Sequence, residues 1–296
     1  MPTDAGLEQV HCLFCPRGVA VESLFADPPL AVVRCRGCGL VFVSPRVAAD
    51  RLGEVYGESY WRSPAAKHYG YTDYRAGAAD WLRTYRRRVE GLTGRLAPGA
   101  RVLDVGCAAG FFLEVMQSDG FDVWGVEISA EIAAEARRRV GDDRIHRGAL
   151  EDAPHRDRSF DLISFWDVVE HLPDPIATLR AARRLLKPDG LLLVETQNVE
   201  SRFARLMGRR WQHFKQVEHL WHFSPSTARQ LLEAGGFETV ELTARRAGKH
   251  VGLDFIVERA GRVHPRLSTV LSPLARLRVA PYVNLLDEMI LLARPS

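Results

Sequence analysis

Short apolar runs alternate with helical patterns beyond residue 100. Four runs have the length of a buried strand: residues 102–105, 123–126, 160–165 and 191–194. Between these runs, apolar residues recur three or four positions apart, as Phe112 and Met116 do, and this spacing indicates helices. Strands that alternate with helices favour a doubly wound α/β sheet with mostly parallel strands.

Residues typical of helix ends support this pattern. Ser129 and Asp174 each precede a helical stretch and can cap its first turn, and Ser224-Pro225 opens one more helix. Proline follows Asp174 and Ser224 directly, as is common at the first position of a helix. Pro188 should end the helix that precedes it. Two more strands are expected near the C-terminus, at residues 237–242 and 288–293.

The first 48 residues predict a small β unit that contains most of the cysteines. Strand-like runs occupy residues 19–21, 30–33 and 40–43, and Asp27-Pro28-Pro29 forms a turn between the first two. Two Cys-x-x-Cys pairs flank this hairpin: Cys12 with Cys15, and Cys35 with Cys38.

The two pairs predict a structural zinc site. Zinc takes about four ligands in a tetrahedron, and two thiolate pairs on tight turns supply them. Gly39, directly after the second pair, permits the left-handed backbone that such a turn uses. Cysteines would fill every ligand position and leave none open for catalysis. The alternatives to zinc are buried free thiols, a redox pair and a rubredoxin-like iron site. Cys107 lies in a different motif and is not expected to bind this metal.

The segment between the β unit and the α/β pattern is rich in tyrosine and tryptophan, and residues 74–92 predict an arginine-rich helix. We divide the chain into three domains: a zinc ribbon (1–48), a helical, aromatic linker and cap (49–98) and an α/β domain (99–296). Two insertions in the last domain are expected to form helical lids over a substrate: residues 199–223 and 246–286.

Composition places the chain among ordinary globular proteins. Apolar residues make up 46% and charged residues 26% of 296 positions, which excludes a disordered or fibrous chain. The net charge of +3 argues against a nucleic-acid-binding protein. Since no apolar run approaches the roughly 18 residues of a membrane span, and the N-terminus lacks a secretory signal, we expect a cytoplasmic protein without a membrane partner.

A glycine loop, Gly106-Cys-Ala-Ala-Gly110, follows the first strand of the α/β domain. A dinucleotide site would need glycine where Ala108 and Phe111 stand, so NAD or FAD fits poorly. Together with Asp104, the loop resembles the D-x-G-x-G-x-G motif of class I S-adenosylmethionine-dependent methyltransferases. Ala108 replaces the middle glycine, and a positive φ there would cost roughly 1–2 kcal/mol.

Further segments resemble the same family in the same order. Glu127 ends the second strand, where a carboxylate can accept hydrogen bonds from ribose hydroxyls. Other matching blocks are residues 148–154, 159–175, 185–190, 222–225 and 234–237. The resemblance covers residues 99–245 and the last strand, and it implies a Rossmann-like, seven-stranded methyltransferase sheet. It also implies S-adenosylmethionine as cofactor, bound by Asp104, Gly106, Cys107, Gly110, Glu127, Ile128, Leu150, Glu151 and Trp166.

Histidine and tryptophan are concentrated at residues 211–222, after the fifth strand, where this fold places its substrate cover. A hydroxyl acceptor needs a base with a pKa near neutrality, which histidine provides. His219 is our first candidate for the catalytic base, and His171 and His222 follow. Alternatively these rings only pack the lid, and His171 forms a structural hydrogen bond. A metal held by His219 and His222 would need a third ligand, which the sequence does not reveal.

The combination of a four-cysteine ribbon with this core resembles bacterial methyltransferases of sugar, glycan and secondary-metabolite pathways. It implies a hydroxyl of such a small molecule as acceptor. Three alternatives stay open: N- or C-methylation of a natural-product intermediate, a non-enzymatic adaptor with a degenerate core, and an RNA or protein acceptor. The last would use Arg83, Arg86, Arg87 and Arg88, a cluster that at helical spacing more often forms a solvated face.

Overall fold

The computed structural model describes residues 6–62, 74–263, 265–277 and 279–296. The first five residues of the expected ribbon and residues 63–73 of the expected cap lie outside the described parts. The strands in the described ranges are β1 Leu7–Glu8, β2 Val21–Asp27, β3 Leu30–Cys35, β4 Val41–Val43, β5 Arg46–Val47, β6 Arg101–Val105, β7 Asp122–Glu127, β8 Ile145–Arg147, β9 Phe160–Trp166, β10 Leu186–Gln197, β11 Trp221–His222, β12 Phe237–Thr243, β13 Lys249–His250, β14 Tyr282–Val283 and β15 Glu288–Pro295.

The helices are generally short. They are α1 Leu52–Val55, α2 Glu58–Trp61, α3 Ala78–Val89, α4 Phe111–Ser118, α5 Ala130–Val140, α6 Pro175–Leu185, α7 Arg202–Met207, α8 Pro225–Ala234, α9 Leu253–Val263 and α10 Pro265–Leu271. Within the described ranges, no helix is both long and apolar enough to cross a lipid bilayer.

The main sheet has seven strands in the order β12-β15-β10-β9-β6-β7-β8. The five strands from β10 to β8 are parallel. β15 runs antiparallel to its neighbours β10 and β12, so β12, at the edge of the sheet, has the same direction as the five. The first strand of the α/β domain, β6, therefore lies inside the sheet with its carboxyl end between those of β7 and β9. This arrangement confirms the expected Rossmann-like α/β fold.

Helices cover both faces of the sheet. Alternate residues of β10 point to opposite sides: Leu192 belongs to the apolar cluster of Leu179 on α6, whereas Leu193 belongs to the cluster of Phe112 on α4. Because both faces of the strand are buried over residues 191–194, its sequence there is continuously apolar rather than alternating.

The N-terminal cysteine unit forms a hairpin with the predicted turn, but its first strand is Val21–Asp27 instead of residues 19–21. The unit shares a sheet with the rest of the chain. The four-stranded sheet has the order β11-β4-β3-β2, and β11 comes from residues that the sequence assigned to a substrate cover. Phe42 of β4 and Phe160 of β9 are fully buried members of one apolar cluster. The ribbon therefore packs onto the methyltransferase-like sheet.

The structure revises some predicted boundaries. The helix expected at 74–92 is α3, and the strand β8 was missed because it has only three residues and two of them are polar. Ser224 forms a capping box, and Asp174 accepts a bond from the amide of Ala177. Ser129 occupies the N-cap position of α5 without making a capping bond.

Candidate functional site

The glycine loop at the carboxyl end of β6 needs residues without a side chain. Gly106 and Gly110 have φ values of +69° and +79°. A Cβ on Gly106 would lie 2.7 Å from Val168, and a Cβ on Gly110 would lie 3.1 Å from the Cα of Ala136. The loop leads directly into α4, so its amides meet the positive end of a helix, where ligands with partial negative charge are stabilised.

Ala108 adopts the left-handed conformation that the family motif reserves for glycine. Its φ is +46°, which is unfavourable for a residue with a Cβ. The Ala108 amide donates a hydrogen bond to Oε2 of Glu127 at 3.0 Å. A residue with a Cβ at this position therefore strains the loop.

Glu127 lies at the carboxyl end of β7 and is only 5% exposed. Its Oε1 accepts a bond of 2.8 Å from the amide of Ser129. Burial raises the pKa of Glu127, and the Ser129 and Ala108 amides oppose this rise. Since two carboxylate oxygens have about four acceptor positions, Glu127 retains the capacity to accept bonds from the hydroxyls of a ligand.

Asp104 lies deeper than Glu127. Its Oδ1 accepts a hydrogen bond of 2.7 Å from the Ser164 hydroxyl, which links β6 to β9. Burial raises the pKa of Asp104 to about 8, and the Glu127 carboxylate adds to the effect, although the Ser164 bond opposes it. Asp104 therefore connects two strands beneath the loop.

The thiol of Cys107 points away from the loop surface. It is buried, and a Cβ on Gly125 of β7 would lie 2.7 Å from its Sγ. Ile128, next to Glu127, differs from the buried Cys107, because 55% of this apolar residue is exposed to solvent. An exposed isoleucine beside a buried carboxylate provides an apolar surface for a flat ring.

The remaining predicted cofactor residues differ in burial. Leu150 is buried, whereas Glu151 is exposed and accepts a bond of 2.7 Å from the Thr178 hydroxyl. Trp166, at the end of β9, packs edge-on against Tyr85 at a ring distance of 5.4 Å.

An aromatic wall lies beside Glu127; it comes from the segment that the sequence assigned to a linker and cap but not to the cofactor site. Trp61 donates from its indole nitrogen to the Ser129 hydroxyl at 3.0 Å. Trp61 also contacts Tyr60 and Tyr74, with ring centroids 4.9 and 5.2 Å away. The only sequence signal was the abundance of aromatic residues in this part of the chain.

The four predicted zinc ligands converge. The sulfurs of Cys12, Cys15, Cys35 and Cys38 all lie within 4.8 Å of one another. A zinc–sulfur distance of about 2.3 Å implies sulfur–sulfur distances of about 3.8 Å, so the cluster has the right size. Burial opposes ionisation of Cys35, but the amides of Cys38 and Gly37 lower its pKa to about 7.

Two glycines shape the second cysteine pair. Gly39 has a φ of +80°, as the sequence predicts. A Cβ on Gly37 would lie 2.9 Å from the sulfur of Cys15. The geometry and the donor set therefore fit a metal bound by four thiolates.

The histidines predicted as catalytic form one cluster at the carboxyl edge of the sheet. The ring of His219 lies 4.7 Å from that of His171 and 6.3 Å from that of His222. Burial lowers the pKa of each of the three rings, to about 3 for His222. All three are therefore neutral near pH 7.

The hydrogen bonds of His219 and His171 distinguish the two rings. Nδ1 of His219 donates to the carbonyl of His213 at 2.7 Å, which leaves a lone pair on Nε2. Nδ1 of His171 lies 3.1 Å from the hydroxyl of Tyr56. His222 is fully buried, and its Nε2 has no hydrogen-bond partner among the described residues.

A potential metal-ligand cluster lies here, but it differs from the His219–His222 pair considered in the sequence, because it contains Glu170 and His171 and not His222. One ligand atom each from Glu170, His171 and His219 lie within 4.8 Å of one another. Oε2 of Glu170 accepts a bond of 3.0 Å from Thr196, and Oε1 has no hydrogen-bond partner among the described residues. Burial, reinforced by the Asp167 carboxylate, raises the pKa of Glu170 well above its usual range.

A buried charged network beside the histidines was also missed. Arg88 binds both carboxylate oxygens of Glu195 at 2.6 Å, and neither side chain is exposed. Lys249 lies 2.5 Å from Glu288 and 3.3 Å from Asp167. Arg88 therefore departs from the expectation of a solvated arginine face, whereas the other three arginines of that cluster are exposed.

Asp167 and Lys249 lie where this network meets solvent, with about a quarter of each side chain exposed. Asp167 follows β9 directly and has a φ of +54°, an unusual conformation for aspartate at a non-functional position. Burial would raise the pKa of Asp167, but Lys249 and Arg88 outweigh it and lower the pKa. The only sequence signals were charges directly after apolar strands.

Comparison with known proteins extends these observations. The family model of the methyltransferase domain matches residues 74–242. A ubiquinone biosynthesis O-methyltransferase of Xanthomonas campestris is 37% identical over 117 residues, which are 38% of this chain and 49% of the relative. A protein of the same name from Actinobacillus pleuropneumoniae is 34% identical over 110 residues, or 34% of this chain and 47% of the relative.

The chain spans about half the length of the curated relatives it matches. A solved S-adenosylmethionine-dependent methyltransferase from Archaeoglobus fulgidus covers 75% of this chain and 98% of its own length. It has a TM-score of 0.51 at 17% identity, a likeness that shows the fold.

Proposed function

The chain belongs to the methyltransferase domain family, and from this premise we propose that it transfers the methyl group of S-adenosylmethionine to a hydroxyl of a small molecule. The observation that carries the proposal is the left-handed loop from Gly106 to Gly110, which bonds the carboxylate of Glu127 through the Ala108 amide. A short loop at a helix start and an acidic residue on the next strand suit a ligand with a ribose and a charged chain.

The cofactor supplies an electrophilic methyl group on a sulfonium when it is bound. Glu127 would accept hydrogen bonds from the ribose hydroxyls, and the exposed side chain of Ile128 would pack on the adenine. The small residues of the loop would let its backbone approach the methionine part. Trp61, bonded to Ser129, would close the site from the N-terminal side and exclude water.

His219 is our proposed proton acceptor for the hydroxyl. Its Nδ1–H is held by the His213 carbonyl, so a neutral ring keeps a lone pair on Nε2. Alignment of the acceptor contributes to the rate, and removal of its proton adds a further factor. His171 is the second candidate, but its Nδ1 already contacts Tyr56. His222 is the third candidate, because its ring is wholly buried and an acceptor would not reach it.

The curated relatives are named O-methyltransferases, which supports oxygen as the accepting atom. The pairing of a four-cysteine ribbon with this core supports a sugar, glycan or secondary metabolite as the acceptor class. N- or C-methylation of a natural-product intermediate is the alternative within the enzyme class.

We also propose that Cys12, Cys15, Cys35 and Cys38 hold one structural zinc ion. The convergence of the four sulfurs supports this assignment. The metal would stabilise the ribbon, because four thiolates leave no position for substrate.

Transfer of label from methyl-labelled S-adenosylmethionine tests the function. The purified protein is incubated with panels of sugars, phenols and amines, and labelled products are separated by chromatography. We expect a labelled O-methylated product with the wild type and with Glu233→Ala, which changes an exposed acid on α8. At a limiting concentration of the cofactor, Glu127→Ala should form much less of it. Tight cofactor binding without product on any panel would favour the adaptor alternative.

A further inference from the structure

Strand β11 connects the cysteine ribbon to the histidine cluster through backbone pairing. Trp221 and His222 pair with Phe42 and Val41 of β4. The amide of Val43 extends this pairing with a bond of 2.9 Å to the carbonyl of Leu220. The ribbon sheet therefore includes the residues that directly follow His219.

Leu220 and Trp221 also form hydrogen bonds with the loop that follows β9. The amides of Leu220 and Trp221 donate to the carbonyl of Glu170 at 2.8 and 3.2 Å. The indole nitrogen of Trp221 donates to the carbonyl of Leu172 at 2.8 Å. Trp221, which is 2% exposed, therefore lies between the ribbon and the loop that carries Glu170 and His171.

A second contact holds the other end of this loop. Arg46 of β5 donates to the carbonyl of Pro173 at 3.4 Å, and its guanidinium lies 5.0 Å from the centre of the Trp221 ring. Arg46 is kept in place by Glu8, whose carboxylate accepts a bond of 2.8 Å from Nε. Residues 170–173 are thus bonded from the ribbon side at both ends.

The cysteine pair fixes the start of β4. The amide of Cys35 donates to the carbonyl of Leu40, and the amide of Gly39 donates to the carbonyl of Cys35, both at 2.9 Å. Cys35 is 1% exposed and belongs to the same apolar cluster as Phe42 and Trp221. Release of the Cys35 thiolate would loosen the turn that sets the position of β4.

The cofactor loop is held differently. The amides of Gly106 and Cys107 donate to the carbonyl of Val126 at 2.8 and 3.0 Å, and the Ala108 amide donates to Glu127. These bonds belong to the central sheet. The backbone bonds of the two halves therefore come from different parts of the chain, although Gly106 packs against Val168 at the start of the loop that follows β9.

We propose that the metal bound by the four cysteines positions the acceptor side of the site: through β4 and Trp221 it holds residues 170–173, and with them His171, in place. Trp221 is a positioning residue in this arrangement, and the cofactor side is independent of the metal. The inference rests on the proposed zinc site and on the proposed use of the histidine cluster by the acceptor.

Hydrogen–deuterium exchange of the full chain, read by mass spectrometry, tests the proposal without a known acceptor. Removal of the metal with a chelator, or Cys35→Ser, should speed exchange at least tenfold in residues 168–173 and 218–223. Exchange in residues 106–110, and the affinity for S-adenosylmethionine measured by calorimetry, should change less than twofold. Glu22→Ala, on the exposed edge strand β2, is the ribbon control and should leave all these segments unchanged.

Trp221→Phe tests the connection separately from the metal. It keeps a ring but removes the bond to Leu172, so exchange should rise in residues 170–173 while the metal content stays at the wild-type value. Trp211→Phe is the matched control, because this buried indole bonds Asp287 instead, and it should leave residues 170–173 protected.

Two results would overturn the inference. In one, metal loss speeds exchange only within residues 7–47; in the other, it weakens cofactor binding as much as it loosens residues 168–173. Absence of metal in the purified protein would refute the zinc assignment, and absence of cofactor binding by the wild type would refute the proposed function. Metal content and cofactor affinity are both measured independently of hydrogen exchange.

Discussion

The amide of Ala108 donates a hydrogen bond to Oε2 of Glu127 at 3.0 Å, across the gap between the glycine loop and the end of β7. This bond exists because Ala108 takes a positive φ that turns its N–H toward the carboxylate. The backbone conformation of the loop and the position of the Glu127 carboxylate are therefore coupled. The strained backbone of Ala108 helps to hold the Glu127 carboxylate in place.

We expect Ala108→Gly to stabilise the protein. Relief of roughly 1–2 kcal/mol of backbone strain is partly offset by roughly 0.5–1 kcal/mol for the greater freedom of glycine in the unfolded chain. The net gain should be about 0.5–1 kcal/mol, measured by urea denaturation. Ala109→Gly removes a neighbouring buried methyl group and should destabilise the protein. Equal losses in both variants would contradict the strain argument.

We expect Glu127→Ala to weaken binding of S-adenosylmethionine at least tenfold in titration calorimetry. The variant removes a charged acceptor for two hydroxyls, and each such bond contributes roughly 0.5–1.5 kcal/mol or more. Glu233→Ala should bind like the wild type. Unchanged affinity in Glu127→Ala would remove this residue from the cofactor site.

We expect close to one zinc ion per chain by elemental analysis, and much less in Cys35→Ser. Metal binding contributes folding free energy to the ribbon, so the variant should also unfold at a lower temperature. If about two metal ions per chain are found, and one of them is lost in Glu170→Gln, the cluster of Glu170, His171 and His219 is also a metal site.

The elements whose evidence is local in sequence were predictable. Two Cys-x-x-Cys pairs, a glycine loop and an acidic residue at the next strand end identify their neighbourhoods, because each depends on spacing along the chain. Ala108 also stood out in the sequence, because it replaces the middle glycine of the motif and a positive φ at that position is costly for alanine.

Features that join distant segments were not predictable. Arg88 and Glu195 are far apart in the sequence, and nothing near Arg88 distinguishes it from exposed arginines on the same helix. The sequence also does not predict the pairing of β11 with β4, because a strand of two residues has no recognisable apolar periodicity. Burial of a charge depends on its partner, which only the tertiary structure supplies.

Acid should destabilise the protein through its buried histidines. Burial lowers the pKa of His222 to about 3, whereas an unfolded histidine titrates near about 6.5. The unfolded state therefore binds the proton first, so the stability due to the neutral ring is complete above about pH 6.5 and falls as the pH drops. At about pH 5 this one group accounts for about 2 kcal/mol.

Urea denaturation at about pH 7 and about pH 5 measures this loss. His222→Gln should reduce the difference between the two conditions, and His11→Gln, which changes an exposed histidine, should not. An equal acid-induced loss in the wild type and His222→Gln would assign the effect to other groups.

The proposed base makes the sharpest prediction for catalysis. If Nε2 of His219 takes the proton of the hydroxyl in the transition state, His219→Ala should lose roughly 10²–10⁴ in turnover with nearly unchanged cofactor affinity. His219→Gln should not restore turnover, because an amide cannot accept that proton. Burial and the nearby His171 lower the pKa of His219 well below its usual value, so turnover should stay constant as the pH falls toward about 6.5.

His171→Ala separates the two candidate bases. A large loss of turnover in His171→Ala but not in His219→Ala would move the base to the loop after β9. A small loss in both would mean that the acceptor needs no base, as for an amine or an ionised enolate. The search for substrates would then turn from alcohols to these classes, because a nucleophile that is already deprotonated requires only alignment with the methyl group.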